Sequence, residues 1–191
     1  MILSRNKSGF TIIELLVVAA IIGLISAVVL QSLNAARMKS RNATRLSQID
    51  QINKALELSA TGGTNKLPFT GGPPPAWFCI GAFTPCGGGA YVNNAVVNNA
   101  IAASIAGGTV ASIPKDPSLN GVIGDAYLYN PAVTPAISGN CTATTCPSGA
   151  YLSWVIEQST NCGRGIFWIP NVNGVIGDSL CVLRLGNAVT S

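Results

Sequence analysis

Histidine is absent from this sequence, and charged side chains make up only 9% of its 191 residues. Histidine is the side chain most often used for acid–base catalysis near neutral pH and for binding metals. The acidic residues beyond position 100 are scattered and accompany no nucleophile–base pair: Asp116, Asp125, Glu157 and Asp178. The composition therefore argues against an enzyme, and we expect no catalytic residue, no cofactor and no metal site.

Proline is absent before Pro68, so no residue of this type interrupts a helix in the first third of the chain. Between Phe10 and Leu30 the sequence is apolar except for Glu14. A helix of this length spans about 32 Å, the thickness of the hydrocarbon core of a bilayer. No small-x-small cleavage site follows at the start of the polar segment. We therefore expect a retained membrane span over residues 10–33.

The pattern becomes amphipathic after Gln31, which predicts that the same helix continues as an amphipathic half over residues 34–61. Gly62 and Gly63 can supply the left-handed turn that ends a helix. The predicted apolar stripe recurs at steps of three and four residues and comprises Leu46, Ile49, Ile52 and Leu56. Within the chain, the C-terminal region is the candidate partner for this stripe.

Six cysteines follow the apolar run: Cys79, Cys86, Cys141, Cys146, Cys162 and Cys181. An even number of cysteines in a region rich in Gly, Asn and Thr and free of histidine favours disulfides in an oxidising compartment. Free or buried thiols are the alternative. The sequence alone leaves the pairing open, but short loops close most easily, which favours the neighbouring pairs Cys79–Cys86, Cys141–Cys146 and Cys162–Cys181.

The remaining residues, 62–191, form the predicted globular head. Glycine and proline are frequent in 62–90, which predicts a long loop, and the pattern at about 91–106 favours a short helix. Residues 113–191 carry strand patterns separated by turn residues, at 126–130, 150–158, 165–170 and 181–186. Consecutive strands joined by short turns favour an antiparallel sheet with the long helix packed on one face, an α+β fold.

The N-terminal segment KSGFTIIELLVVAAIIGLISAVV has a basic leader, a glycine, a phenylalanine and, four residues after that phenylalanine, a glutamate. In this arrangement it resembles the class III signal of type IV pilins and type II secretion pseudopilins. The stretch IPKDPSLNGVIGDAYLYN at 113–130 is a looser match to a segment of small pilins and major pseudopilins. The resemblance implies a pilin-like fold, although Gln31 stands where many pilins have a proline in the membrane helix.

By this resemblance, residues 1–9 are a leader that prepilin peptidase removes by cutting between Gly9 and Phe10 on the cytoplasmic side. The new Phe10 amine is then N-methylated. In an assembling filament, the carboxylate of Glu14 pairs with the Phe10 amine of a neighbouring subunit, which offsets the burial of both charges and sets the axial register. A snorkelling or protonated carboxylate near the membrane interface is the alternative for Glu14.

The resemblance also implies partners and a location. The expected partners are identical or related subunits in a helical polymer, prepilin peptidase, an assembly platform with its ATPase, and the inner membrane. Before assembly the protein would cross the inner (cytoplasmic) membrane once, with its N-terminus in the cytoplasm. After assembly it would belong to an extracellular or periplasmic filament.

Four basic residues follow the membrane span: Arg37, Lys39, Arg41 and Arg45. A solvated helix face is the simplest interpretation. The other candidates are contacts with neighbouring subunits, for example at Asp50 or Glu57, contacts with anionic lipid headgroups, and, more weakly supported, DNA binding. From residue 46 onward five basic residues nearly balance six acidic ones, so a strongly basic nucleic-acid-binding face is not expected in the head.

Two functions of different classes fit this sequence. The first is a structural subunit that polymerises through its N-terminal helix into a type IV pilus or related filament, used for adhesion, motility, DNA uptake or secretion. Major pilin, minor pilin, pseudopilin and competence pilin all remain open. The second is a membrane-tethered adhesin or carbohydrate-binding module that never polymerises. Its candidate contacts are Trp77, Trp154 and Trp168, of which we expect Trp154 to be buried and Trp77 to be exposed.

Overall fold

The computed structural model describes residues 9–60, 67, 77–81, 92–93, 95–107, 112–117, 126–133, 146–172 and 176–186. Within these ranges it contains two helices and six strands. In chain order they are α1 (Ile12–Ser59), β1 (Phe78–Cys79), β2 (Val92–Asn93), α2 (Ala95–Ala106), β3 (Leu128–Val133), β4 (Gly149–Ile156), β5 (Ile166–Pro170) and β6 (Ser179–Gly186). The chain divides into two compact units, with the boundary between Lys39 and Ser40.

The part of α1 in the first unit is apolar on all sides from Leu15 to Leu30 and is exposed along its length up to Arg37. Its large side chains, such as Ile12 and Leu24, are 80% and 72% exposed. A helix that is hydrophobic all round needs an apolar environment or other helices around it. Among the described residues, α1 is the helix long and apolar enough to cross a membrane, and its apolar segment lies near the N-terminus.

The part of α1 in the second unit buries one face. Ile49, Ile52 and Leu56 are buried and Leu46 packs beside them, so the stripe predicted from the sequence is confirmed. This face joins a core cluster that includes Leu152 and other side chains of β4 and β6. The helix is described as α-helical to Ser59, and the predicted glycine terminator at 62–63 lies outside the described residues.

The strands form one sheet in the order β2-β1-β3-β4-β6-β5. The neighbouring strands in the series β1-β3-β4-β6-β5 all pair antiparallel. The edge strand β2 pairs parallel with β1. Strands β5 and β6 are consecutive in the chain and pair antiparallel, whereas the consecutive strands β4 and β5 are separated in the sheet by β6. The antiparallel α+β fold predicted from the sequence is therefore confirmed.

The central strand β4 is buried at all eight positions, because both faces of the sheet are covered. Side chains of a strand alternate between the two faces. On one face, Leu152, Trp154 and Ile156 belong to the core that contains α1. On the other face, Tyr151 belongs to a smaller cluster with Cys146 and Val182. This double coverage explains why the sequence of β4, GAYLSWVI, is apolar at nearly every position.

The described elements differ in places from the sequence-based boundaries. Two residues of the predicted loop 62–90 form strand β1, which pairs with Leu128 and Tyr129 of β3. Strand β2 occupies the start of the helix expected at about 91–106, and α2 begins at Ala95. Both strands are two residues long, and a pattern of alternating polarity cannot be recognised over two positions.

The Cys162–Cys181 disulfide is present, with 19 residues of sequence separation and a Cα–Cα distance of 5.6 Å. It ties the turn region after β4 to strand β6, and both cysteines are buried in the main core. This pair of the predicted set is confirmed. Cys79 and Cys146 are also disulfide-bonded, whereas Cys86 and Cys141 lie outside the described residues.

Candidate polymerisation site and helix anchor

The first turn of α1 contains a reciprocal hydrogen-bonded cap. The backbone N–H and the hydroxyl of Thr11 both donate to Glu14 Oε2, at 2.9 Å and 2.8 Å. In return, the Glu14 N–H donates to the Thr11 hydroxyl oxygen at 3.3 Å. A Thr at the N-cap with a Glu three residues later is the capping box that satisfies free N–H groups at a helix start. The carboxylate of Glu14 is therefore directed back toward the N-terminal end of the helix.

The residues expected at the cleavage point directly precede this cap. Gly9 and Phe10 are exposed, and Phe10 retains 80% of its accessible surface. No atom lies within 4 Å of the position that a Cβ on Gly9 would occupy. Packing within the described structure therefore does not require a glycine at this position.

The basic cluster divides into two exposed and two engaged side chains. Arg37 and Lys39 are exposed. Arg41 and Arg45 instead form ion pairs with carboxylates of their own chain. For Arg45 the expectation of a solvated face is wrong, because this side chain is 1% exposed. Arg41 is partly exposed, and contacts of the cluster with other subunits or with anions stay a prediction. The carboxylate partners of both arginines arrive from segments far away in the sequence, which fold against this part of α1.

Arg45 is the centre of a buried ion network and is only 1% exposed. Its Nε and Nη2 atoms donate to the two carboxylate oxygens of Asp116 at 2.7 Å and 2.9 Å. Its Nη1 atom lies 2.7 Å from Glu157 Oε1. The bidentate contact with Asp116 is the strongest geometry available to an arginine–carboxylate pair. A charge buried in this way is costly by itself and is tolerated because its partners are buried with it.

Arg41 and Asn42 extend this network to the end of β4. Arg41 Nε donates to Glu157 Oε1 at 2.8 Å, and its Nη2 contacts the second carboxylate oxygen. Asn42 Nδ2 donates to the Glu157 carbonyl oxygen at 2.8 Å, and the Glu157 N–H donates to Asn42 Oδ1 at 3.0 Å. Asn42 Oδ1 also accepts from Arg45 Nη1 at 3.0 Å. We call Arg41, Asn42, Arg45, Asp116 and Glu157 the helix anchor.

The electrostatics keep the anchor charged. The hydrogen bond from Arg41 holds the pKa of Glu157 below its ordinary value, and burial opposes this effect only in part. Burial by itself lowers the pKa of Arg45, but the hydrogen bond and the charge of Asp116, together with Glu157, outweigh burial and raise it. Two cations and two carboxylates therefore balance one another where α1 enters the head.

The tryptophans proposed for ligand contact are all used in packing. Trp154 is buried in the main core, as expected. Trp77 and Trp168 are half-buried and lie against each other, with ring centroids 6.1 Å apart and planes tilted by 36°. Trp77 is thus less exposed than predicted, because it packs on the face of the sheet that carries Tyr151 and Val182.

Sequence reasoning missed four contributors to these sites. The pattern Thr-x-x-Glu at Thr11–Glu14 is a signal that could have revealed the capping box. For Asn42, Asp116 and Glu157 the sequence offers no such signal, since their contacts join segments separated by 71 to 116 positions. The segment around Asp116, between two prolines, gave no reason to expect a buried carboxylate.

Comparison with protein families finds a match at the N-terminus. Residues 4–30 match the family described as Prokaryotic N-terminal methylation motif. Neither a curated protein nor a solved structure matches the chain. The matched residues include the Gly9–Phe10 bond, the capping box and the exposed apolar part of α1. The chain thus carries a prokaryotic N-terminal methylation motif, the class III signal typical of type IV pilins and pseudopilins, ahead of a pilin-like α+β head.

Proposed function

We propose that this protein is a prepilin-type subunit that is cleaved between Gly9 and Phe10, methylated on the Phe10 amine and polymerised through α1 into a type IV pilus or related filament. The observation that carries the proposal is the methylation motif on a helix whose apolar part has no partner among the described residues of its own chain. A lipid bilayer supplies the environment for this surface before assembly, and helices of other subunits supply it afterwards.

Cleavage changes the chemistry next to the cap. Hydrolysis of the Gly9–Phe10 peptide bond leaves a carboxylate on the leader and an amine on Phe10, which is protonated at neutral pH. Methylation of this amine keeps its positive charge. The carboxylate of Glu14 then has two possible partners, the Thr11 cap of its own chain and the Phe10 amine of a neighbour. At about 4 Å and an effective dielectric constant of about 20, the second pairing is worth about 4 kcal/mol before desolvation is subtracted.

The capping box supports this role for Glu14 in the isolated subunit. A carboxylate without partners in an apolar environment is costly. Two donors of Thr11 already bind one oxygen of Glu14, which reduces that cost before a neighbour arrives. The other carboxylate oxygen, Oε1, makes no hydrogen bond with the described residues. It can receive the neighbouring amine without breaking the cap.

The head contributes no chemistry to this proposal. Its anchor fastens the second half of α1 to the sheet, so that polymerisation of the first half places the heads on the filament. We propose localisation in the inner membrane before assembly and in a filament afterwards. Prepilin peptidase and an assembly platform with its ATPase are the proposed partners.

The test is to substitute Gly9 by valine and measure the mass of the chain in a host that contains prepilin peptidase. We expect the Gly9→Val chain to keep its leader and lack methylation, because a branched side chain hinders access to the scissile bond. Gly23→Ala is the matched control, since a Cβ at either glycine meets no atom within 4 Å. The control should be cleaved, methylated and incorporated into filaments as the wild type is.

The result would contradict the proposal if the wild-type chain kept its leader beside an active peptidase. Normal processing together with a permanently monomeric product would instead favour the membrane-tethered module. Glu14→Ala separates the two steps further. We expect its filament incorporation to fall, while Lys54→Ala, at an exposed charged residue of the same helix, has little effect.

A further inference from the structure

Two basic residues immediately beyond the apolar part of α1 do not belong to the helix anchor. Arg37 and Lys39 are exposed, and neither forms a salt bridge in the part of the chain that the structure describes. The nearest acidic residue on the helix is Asp50, far beyond the three- and four-residue spacing at which side chains on a helix meet. No acidic side chain among the described residues therefore neutralises these two charges.

Their position along α1 matches the headgroup region of a bilayer. Leu33 is the last large aliphatic residue of the apolar run, and Arg37 follows it by four residues, or about 6 Å of helix rise. Side chains of a helix tilt toward its N-terminus, which here is the direction of the apolar run. Because Arg37 and Lys39 lie beyond the apolar run, this tilt brings their charges back toward the headgroups, the level at which Arg and Lys near the ends of membrane helices keep their charges.

Their angular placement favours lipid over a protein surface. Positions two apart on a helix are separated by about 200°, so Arg37 and Lys39 project from nearly opposite sides of α1. A neighbouring helix or another flat partner can meet only one of them at a time. Lipid headgroups surround a membrane helix on all sides and can meet both.

The spacing also argues against the acidic residues of the neighbouring subunit that binds Glu14. If the Phe10 amine of that neighbour lies level with Glu14, the two chains are offset by four residues, or about 6 Å. Pairing Arg37 with the neighbour's Asp50 would need an offset of 13 residues, or about 20 Å. One neighbour cannot satisfy both contacts. This step rests on the proposed function, whereas the exposure and the angular placement do not.

We infer that Arg37 and Lys39 form a belt that binds the phosphates of anionic phospholipids at the end of the membrane span away from the leader. The ligand is an anionic headgroup such as that of phosphatidylglycerol. Arg41 and Arg45 take no part, because Glu157 and Asp116 already neutralise them. The belt therefore carries two charges where the sequence presents four.

The experiment measures lipid selectivity on the purified full chain. The protein is equilibrated in micelles that contain equal amounts of phosphatidylglycerol and phosphatidylcholine, and the bound lipids are counted by native mass spectrometry. We expect selectivity for phosphatidylglycerol in the wild type and a loss of about 30-fold in the double variant Arg37→Gln/Lys39→Gln. High salt should reduce the selectivity of the wild type toward that of the variant.

The matched control removes two charges elsewhere. Lys54 is exposed later on the same helix, and Arg164 is 63% exposed, so Lys54→Gln/Arg164→Gln lowers the net charge equally. We expect this control to keep the selectivity of the wild type. Tryptophan fluorescence verifies that both variants retain the folded head. Equal losses in the two double variants would mean that net charge alone attracts the lipid and would overturn the inference.

Two further outcomes would also overturn it. The selectivity could survive Arg37→Gln/Lys39→Gln while filament yield falls, which would assign the two cations to subunit contacts. It could survive while the binding of a short DNA duplex is lost, which would assign them to DNA. The lipid measurement uses a monomer in micelles and needs neither cleavage nor assembly. Failure of the proposed function would therefore appear as unprocessed chain with lipid selectivity intact.

Discussion

Leu24 and Leu56 lie in the same uninterrupted helix, yet Leu24 is 72% exposed and Leu56 is completely buried. The difference comes from the side chains around them. Leu24 sits in a segment that is apolar on all sides, and such a segment has no polar face to direct toward water. Leu56 belongs to a stripe with polar residues opposite, and the stripe packs on the sheet. One helix is thus packed on the sheet in its second half, whereas its first half is exposed in the part of the chain that the structure describes.

The largest expected effect comes from breaking the ion network on the head side. Asp116→Ala leaves the buried guanidinium of Arg45 without its bidentate partner, and we expect the free energy of unfolding of the head to fall by about 3–5 kcal/mol. Urea unfolding of the full chain in micelles, followed by tryptophan fluorescence, measures this loss. Asp116→Asn is a milder variant that keeps the side-chain size if the alanine variant does not fold.

The control for that substitution is a partly exposed carboxylate on α1. Asp50 lies 3.6 Å from Arg164, and both side chains are well exposed. A surface pair of this kind contributes little, so Asp50→Ala should change the free energy of unfolding by no more than about 1 kcal/mol. If Asp116→Ala cost no more than this control, the anchor would have no special role in stability.

The two leucines give the most direct comparison between the halves. Leu56→Ala removes buried side-chain volume from the main core and should lower the free energy of unfolding of the head by about 2–5 kcal/mol. Leu24→Ala should leave the same quantity within about 0.5 kcal/mol of wild type, because that side chain is 72% exposed. Its effect should be seen instead in filament incorporation. Equal losses of head stability would contradict the separation of the two halves.

The smallest effect is expected from pH. The pKa of Glu157 is lowered in the folded head, so its charged form stabilises the fold at pH values above the ordinary glutamate pKa of 4.5. This contribution is lost as the pH falls through the lower, folded-state pKa. Glu157→Gln should therefore reduce the decline in stability between pH 5 and more acidic solutions. An unchanged pH profile in the variant, measured by the same urea unfolding, would argue against this contribution.

Much of this structure could be predicted because it depends on neighbours in the sequence. The stripe at Ile49, Ile52 and Leu56 follows from helical periodicity, and strands β3 to β6 follow from turn residues and apolar runs. The pair Cys162–Cys181 follows from the ease of closing a short loop. The strands β1 and β2 could not be predicted, since two residues carry no period and their pairing depends on β3.

The burial of Arg45 could not be predicted for a different reason. A basic residue beside an apolar stripe normally lies on the solvated face, and nothing near Arg45 in the sequence indicates otherwise. The carboxylates that neutralise it come from the segment before β3 and from the end of β4. The cap at Thr11 is the opposite case, since it was visible in four consecutive residues.

Asn42 and the two arginines of the anchor recognise different parts of residue 157. Arg41 and Arg45 require the carboxylate of Glu157, so a change of that side chain alters their contact. Asn42 binds the main-chain N–H and carbonyl of the same residue, as a neighbouring strand would. Every residue except proline offers this pair of groups. The contact of Asn42 with the end of β4 is therefore independent of the side chain at position 157. A substitution at this position can weaken the attachment of α1 to β4, but the main-chain contact with Asn42 keeps the helix and the strand in register.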